Sequence, residues 1–302
     1  MDINIISSFF IFNTANMVLI GSMINFLDPY VPAALKRSFL YGKFSTKTPH
    51  VILTKLEVPK SNFRHMYIFS APALAITLCS ILYMYIYNAN VPEIIIMLLD
   101  TLLGTSRKPL ISTEVGILTL IIFNIHAWKR LYETCYVNVF SNQKMHIYIY
   151  FLGLLHYAGL ILSIIGEIEG FVRGSYRNEN LPKVTIVKLV CTFICLWSSY
   201  MQLKTTFILA KLRRNTNNDI VSLEYKIPSE GLFKHIAAPL QFYEILIYVM
   251  LSIILWQAYI FHYVTLWVVV NQVECALLTH KWYHKTFKNY PKERKILIPY
   301  IW

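Results

Sequence analysis

Charge is what this chain is short of. Only 15% of its 302 residues are Asp, Glu, Lys or Arg, against about 25% in a soluble globular domain, so there is too little polar side chain to cover a water-facing surface. Cysteine is sparse and unpatterned. Of the five, Cys79, Cys191, Cys195 and Cys275 fall in apolar stretches, Cys135 in a link, and no spacing suggests a zinc site or a redox pair. Cys191 and Cys195 share a helix face, which burial of small hydrophobic side chains explains. The glycine fingerprint of a dinucleotide fold, the P-loop, a zinc-ligand cluster and the G-x-S-x-G elbow are all missing. So are internal repeats, low-complexity tracts and a second soluble domain. A soluble enzyme, a secreted disulfide scaffold and a disordered chain are excluded together.

What is present is apolar sequence: 56% of residues are hydrophobic and the mean hydropathy is +0.48. A helix that spans a bilayer needs ~20 predominantly apolar residues, and roughly seven blocks meet that need. They lie near residues 4–27, 66–87, 111–127, 145–166, 184–203, 241–256 and 258–278. The expected fold is therefore all-α, one integral membrane domain over residues 1–302 with about seven transmembrane helices. The first block has no basic segment before it and runs on to Asp28-Pro29. It reads as a retained span rather than a cleaved signal peptide.

The net charge of +12 is placed almost wholly between the blocks. Links 28–65, 128–144 and 204–240 with the tail 279–302 hold 22 Lys and Arg, whereas links 88–110 and 167–183 hold 5. Cytoplasmic loops carry the excess of Lys and Arg, so the N-terminus is expected on the lumenal side and the C-terminus in the cytosol. The same placement argues against nucleic acid as a partner. The tail 280–302 mixes six basic residues with aromatics, and reads either as a segment held on anionic lipid or as a cytosolic floor for an anionic cofactor.

Ionisable residues inside spans are functional candidates by default. Glu244 opens the sixth block and Glu274 lies near the end of the seventh. His126, Lys129, Arg130 and Glu133 crowd the end of the third, with His126/Arg130 and Lys129/Glu133 spaced as i,i+4 pairs. Lys188 and the run Trp197 to Gln202 mark the fifth. Each reads as a ligand contact or as a structural pair, the pair being the plainer reading for Lys129 and Glu133. No metal site is expected. The residues by themselves indicate a membrane enzyme or transporter with its polar site toward the cytosol.

Several ordered blocks carry a resemblance. His126-Ala127-Trp128-Lys129-Arg130-Leu131-Tyr132-Glu133 runs into Val137-Asn138-Val139-Phe140-Ser141. Trp197-Ser198-Ser199 and Gln202 precede Leu212-Arg213-Arg214-Asn215, then Tyr225-Lys226-Ile227-Pro228, Gly231, Phe233, Pro239 and Glu244. The end reads His280-Lys281-Trp282-Tyr283, Phe287, then Tyr290-Pro291-Lys292-Glu293-Arg294-Lys295 to Ile298-Pro299-Tyr300. In these blocks the chain resembles the steroid 5α-reductase family, and within it the polyprenol reductase branch. The resemblance covers residues 120–302 as a catalytic region, and Glu57 to Ile68 weakly.

The resemblance implies a multi-pass endoplasmic reticulum protein that uses cytosolic NADPH to reduce a carbon–carbon double bond conjugated to a carbonyl. It implies cofactor contacts at Arg213, Tyr225, Gln202, Glu244, His280 and Tyr283. Lys226 stands where the family usually has Arg, keeping charge without the planar fork. Arg130 is a further phosphate candidate because such a fork suits bidentate recognition. Leu240 stands where relatives show Asn or His, so either Gln241 substitutes for it or the cofactor is held less firmly. Ala127 stands where steroid-reducing relatives place a tyrosine, which counts against a steroid and leaves His126 and Tyr132 as candidate proton donors.

The substrate implied is a long-chain polyisoprenoid lipid on the route to dolichol for N-glycosylation, its tail running out into lipid. Hydride adds to an alkene only where the resulting carbanion is stabilised. A polyprenol offers no such sink, and the corresponding aldehyde does, as an enolate. A related reductase acting on a 3-oxo-Δ4 steroid or an enoyl-CoA stays open from the residues alone, as does a non-enzymatic protein that keeps the fold.

Overall fold

A computed structural model of the chain describes residues 2–45, 53–176 and 183–302. Helix α1 (Ile5–Asn16) starts where the Asn4 side chain accepts a hydrogen bond from the Ser7 amide at 2.8 Å, meeting one of the free amides of a first turn. A π turn at Met17–Gly21 and helix α2 (Ser22–Phe26) continue it into one span, Ile5–Phe26. Gly21 is the close-approach point. A Cβ there would lie 2.9 Å from Glu274 Cγ, so only glycine lets that carboxylate reach α2. Ser22 Oγ donates to one Glu274 oxygen at 3.1 Å and Asn25 Nδ2 to the other at 2.6 Å. Glu274 is thus taken up as a helix-to-helix tie.

The remaining helices are α3 (Ala33–Phe39), α4 (Arg64–Tyr87), α5 (Glu93–Leu103), α6 (Thr113–Tyr132), α7 (Ile147–Ile165), α8 (Ile186–Lys211), α9 (Pro239–Ile254) and α10 (Ile260–Thr286). Among the described residues, five stretches are long and apolar enough to cross a membrane: Ile5–Phe26, Lys60–Tyr87, Ile147–Ile165, Ile186–Lys211 and Ile260–Thr286. Their outer faces are apolar, with Ile76 67%, Ile186 80% and Phe193 69% exposed. That is the pattern of a surface that meets hydrocarbon. The chain is an all-α, multi-span membrane protein. α6 and α9 pack inside the same bundle at two further expected positions. α6 carries Glu114, Lys129 and Arg130 at its ends and α9 is shorter, at 16 residues.

Two stretches differ from the sequence expectation. The link 88–110 contains α5, an apolar helix carrying Ile94, Ile95 and Ile96, where the sequence reading placed only a link. α10 runs on to Thr286, well past residue 278, because nothing between Leu278 and Thr286 breaks a helix. His280 and Tyr283 therefore sit on a helix with fixed facing, and not in a tail.

At one end of the bundle, short segments lock the links to one another. Strand β1 (Glu57–Pro59) pairs antiparallel with β2 (Lys144–His146), Glu57 opposite His146, and the Lys60 amide donates to Gln143 O at 3.0 Å. Arg214 Nη2 donates to the carbonyls of Tyr136 and Val137 at 3.1 and 3.2 Å. Arg213 Nη1 donates to Val139 O at 2.7 Å and Nε to Glu224 O at 3.1 Å. Loops that carry little regular structure of their own are held by charge-assisted bonds to backbone.

Candidate active site

A cavity of about 530 Å³ opens among α1, α4, α7, α9 and α10 and is lined at the β1–β2 end by residues of the links. Of the residues expected at a cofactor site, Arg213, Tyr225, Lys226, Glu244 and Tyr283 line it, as do Leu240 and Gln241. Four cations (Lys43, Lys60, Arg213 and Lys226) face a lining whose one carboxylate is Glu244.

Lys43 and Lys60 were not foreseen from the sequence. Both come from the 28–65 link, and the local backbone explains why they share a corner. Gly42 opens a 3-10 turn at φ +61, and a Cβ there would lie 2.6 Å from Lys60 Nζ. Glycine adopts this left-handed conformation freely and leaves room for the ammonium. The Lys43 ammonium lies 4.8 Å from the Tyr283 ring centre and 5.2 Å from that of Trp282, within cation–π range. Burial, reinforced by the neighbouring charges of Lys60 and Arg213, pushes Lys43 down to about 7. Cations crowded together out of water favour an anion between them. A glycine next to a lysine in an aromatic setting, Tyr41-Gly42-Lys43-Phe44, was the available sequence signal.

Tyr283 is held flat against Tyr290, ring centres 5.1 Å apart and planes 3° from parallel. Tyr225 lies under the Arg213 guanidinium at 4.4 Å, meets Ser141 Oγ through its hydroxyl at 3.1 Å, and packs edge-on to Trp282. Arg213 spends two nitrogens on backbone carbonyls, so it both braces the wall and presents charge to the cavity.

Gln202, His126 and Arg130 stand behind this wall. Gln202 Nε2 donates to Glu244 at 2.6 Å and to Leu240 O at 3.3 Å, while its oxygen accepts from Lys129 Nζ at 2.5 Å. His126 Nδ1 is 3.1 Å from Ser199 Oγ, and its Nε2 lies 3.9 Å from Glu244 without a hydrogen-bond partner. Arg130 Nη1 donates to Glu133 at 2.5 Å and Nε to the Tyr67 hydroxyl at 3.1 Å. Lys129 Nζ is 3.3 Å from the other oxygen of Glu133, which is fully buried. Glu133 thus pairs with both cations, and the Arg130 fork is taken by Glu133 and by Tyr67. A buried ion pair with both partners present avoids the penalty of an uncompensated charge. Tyr67, not Arg130, meets the cavity.

Two expected residues stand elsewhere. Tyr132 is 47% exposed, its ring beside Tyr136. It follows Arg130 by two residues, about 200° of helical turn, so when Arg130 faces inward Tyr132 faces out. His280 is not among the lining residues; its Nε2 is 3.1 Å from His284 Nε2 and its ring packs on Tyr290, behind Tyr283. Deeper in the cavity the lining adds His156, Tyr157 and Tyr248, three polar side chains the sequence reading passed over. Tyr248 follows Glu244 by four residues on α9, which was the signal. Among the described residues no group of three or more His, Cys, Asp or Glu is placed to hold a metal ion. Cys195 packs with its thiol 3.6 Å from Ile247 O.

Residues 143–302 match the family described as 3-oxo-5-alpha-steroid 4-dehydrogenase. The chain belongs to this family. It is 32% identical to "Polyprenal reductase" of Drosophila melanogaster over 99% of this chain and 94% of that protein. It is 31% identical to "Polyprenal reductase" of Caenorhabditis elegans over 90% of this chain and 89% of that protein, and 28% identical to the Homo sapiens protein of the same name over 86% and 84%. The family match begins at residue 143, so Lys43, Lys60 and Tyr67 reach the cavity of this 3-oxo-5-alpha-steroid 4-dehydrogenase family member from chain that precedes it.

Proposed function

We propose that this chain is an NADPH-dependent reductase of the endoplasmic reticulum membrane. It saturates the double bond next to the carbonyl of a long-chain polyprenal, the α-isoprene step in making dolichol for N-glycosylation. The observation that carries the reading is the cavity: one end collects Lys43, Lys60, Arg213 and Lys226, and the other runs between apolar helices past Trp267 and Val268. An anionic nucleotide and an isoprenoid head group need those two environments in one continuous space. The relatives named polyprenal reductase support the substrate class.

The donor set suits the nucleotide. Four cations answer phosphates, Tyr225 and Tyr283 offer aromatic faces, and Gln241 offers an amide beside Leu240, which has none. When bound, the nucleotide supplies hydride from its nicotinamide. The protein's share is positioning and charge stabilisation. Gln202, with Lys129 behind it, fixes Glu244, and His126 completes that layer next to Ser199. Tyr67, held by Arg130, closes the wall at the cationic end. Neither His126 nor Tyr132 is assigned a proton-donor role in this scheme, since His126 stands behind the lining, against Ser199, and Tyr132 faces outward.

The lysine and arginine distribution supports seven spans in one membrane domain, with the N-terminus lumenal and the cationic end of the cavity, together with the C-terminus, in the cytosol. The test is turnover by purified protein in lipid nanodiscs with NADPH and, in turn, polyprenal, polyprenol and a 3-oxo-Δ4 steroid, the product identified by mass spectrometry. Saturated aldehyde from polyprenal alone is expected. Turnover of the steroid or the alcohol with an inert aldehyde would overturn the substrate, and no NADPH binding would overturn the reductase.

A further inference from the structure

Reduction of an unsaturated aldehyde leaves one requirement that the cationic end does not meet. When hydride bonds to the β-carbon, the π electrons move toward the α-carbon and the carbonyl oxygen, and that oxygen gains nearly a full charge. In an apolar surrounding it needs a hydrogen-bond donor already aimed at it. We infer that Tyr248, oriented by His156, is that donor.

Depth along α9 places it. Gln241, Glu244 and Tyr248 line the cavity in order, and four residues of helix carry Tyr248 about 6 Å further from the cationic end than Glu244. Its surroundings fix the ring. The Phe261 ring is stacked on it, planes 4° apart, and the Phe123 ring meets it edge-on at 5.7 Å, while the residue as a whole is 1% exposed. A tyrosine that cannot swing keeps its hydroxyl at one point, which is what a preorganised donor requires.

His156 sets where the hydroxyl proton goes. Its Nε2 lies 3.2 Å from Tyr248 Oη, and its Nδ1 is buried with no hydrogen-bond partner. The Phe10 and Tyr157 rings pack edge-on against the imidazole at 5.9 and 5.1 Å. With the imidazole proton on Nε2, that nitrogen donates to Tyr248 Oη and occupies its lone pair, so the phenolic O–H points into the cavity. Tyr148 is committed elsewhere, its hydroxyl donating to Asn13 at 2.9 Å. Tyr67, whose hydroxyl accepts from Arg130 Nε at 3.1 Å, is the rival donor that the variants below separate from Tyr248. Tyr248 is thus a catalytic residue and His156 a positioning residue. This assignment rests on the proposed reductase reading.

The step balances without a further redox partner. The C–H bond at C4 of the nicotinamide breaks with its electron pair, a C–H bond forms at the β-carbon, and the π pair becomes the enolate, whose oxygen Tyr248 holds by hydrogen bond. A proton from water then bonds to the α-carbon as the carbonyl re-forms, so Tyr248 ends the cycle unchanged.

Two readouts test it. In turnover, Tyr248→Phe should lower kcat for polyprenal by roughly 10²–10³-fold, the loss typical of one such donor, with the dissociation constant for NADPH unchanged. In infrared difference spectra of a short-chain polyprenal bound without nucleotide, the wild-type protein should shift the carbonyl stretch to lower frequency, and Tyr248→Phe should abolish the shift. His156→Phe should lower kcat with KM for NADPH unmoved, and His156→Gln, which keeps an N–H, should restore much of it. A Tyr248→Phe protein with wild-type kcat and wild-type carbonyl shift overturns the assignment, as does a loss seen in Tyr67→Phe instead. Should Tyr248→Phe fail to fold, equal kcat for His156→Phe, His156→Gln and wild type overturns it. If the wild-type protein fails to bind NADPH, the reductase reading falls, and the carbonyl shift still reads Tyr248 by itself.

Discussion

The two ends of the helix bundle use charge in opposite ways. At the end carrying residues 104–113 and 166–171, acidic groups meet backbone donors and basic groups meet backbone acceptors. Glu167 accepts from the amides of Tyr259 and Ile260 at 3.0 and 3.1 Å, capping α10, and Glu169 accepts from the Thr113 amide at 3.0 Å, capping α6. Arg107 Nη1 donates to Gly166 O at 2.8 Å and Nη2 to Asp100 at 2.8 Å. At the opposite end Lys43, Lys60, Arg213 and Lys226 face a cavity whose one carboxylate is bonded to Gln202. Helix ends are closed by caps that meet their free amides. Arg213 also braces the links through Val139 O and Glu224 O, but cations gathered without matching carboxylates repel one another, so the set is explained by what it binds. The difference separates the end that holds the bundle together from the end that works.

The largest effect should come from Glu133, where the working end borrows the logic of the other. Glu133→Ala leaves Lys129 and Arg130 buried without their carboxylate. Breaking such a pair costs about 3–5 kcal/mol, read as a lower thermal midpoint or loss of folded protein. A midpoint equal to wild type would show that water or lipid already compensates those cations. Next, Lys43→Ala with Lys60→Ala should leave the midpoint near wild type and weaken NADPH by roughly a hundredfold or more, since one charge-assisted contact is worth about 1.5–3 kcal/mol. Titration by fluorescence decides it, and a fall in stability with affinity intact would make both ends structural.

A smaller effect follows from pH. Lys43 is pushed down to about 7 by burial and by Lys60 and Arg213. A phosphate beside it favours the ammonium, so binding takes up a proton above that pH. NADPH affinity should therefore fall as pH rises beyond 7, by at most about tenfold per unit, and Lys43→Arg should flatten the profile. An unchanged slope in that variant would remove Lys43 from the phosphates. The smallest effect belongs to the capping end. Burial pushes Glu167 up to about 7 against the pull of its two amide donors and Arg107. A carboxyl whose folded value is raised contributes stability that is full at low pH and declines as pH rises from about 4.3 through 7. Glu167→Gln should flatten that decline in the thermal midpoint, and a parallel decline in both proteins would assign it to other groups.

The positions of the spans were legible because hydrocarbon leaves no alternative. A stretch with few charges and enough length must be helical to satisfy its own backbone in a membrane. The five membrane-length stretches lie where apolar sequence places them, with α6 and α9 as further helices at two other apolar blocks. The continuation of α10 through His280 and Tyr283 was less plain, since a mixture of basic and aromatic residues reads equally as helix or tail. Arg213, Tyr225, Lys226, Glu244 and Tyr283 were named from resemblance and share one cavity. Arg130 shows the limit of that reasoning, because a fork suited to phosphate is equally suited to Glu133, and sequence spacing cannot say which it meets.

By itself the sequence determined an all-α membrane chain, its apolar blocks, and the unequal distribution of basic residues among links, because each follows from local composition and the solvent that surrounds it. Only the tertiary structure decided which polar groups meet. Lys43 joins Lys60 through a left-handed turn at Gly42 and the pairing of β1 with β2. Tyr248 meets His156 across two helices separated by 92 residues of chain. A cavity is a property of side chains brought together from distant segments, and hydropathy, which averages along the chain, carries no record of that meeting.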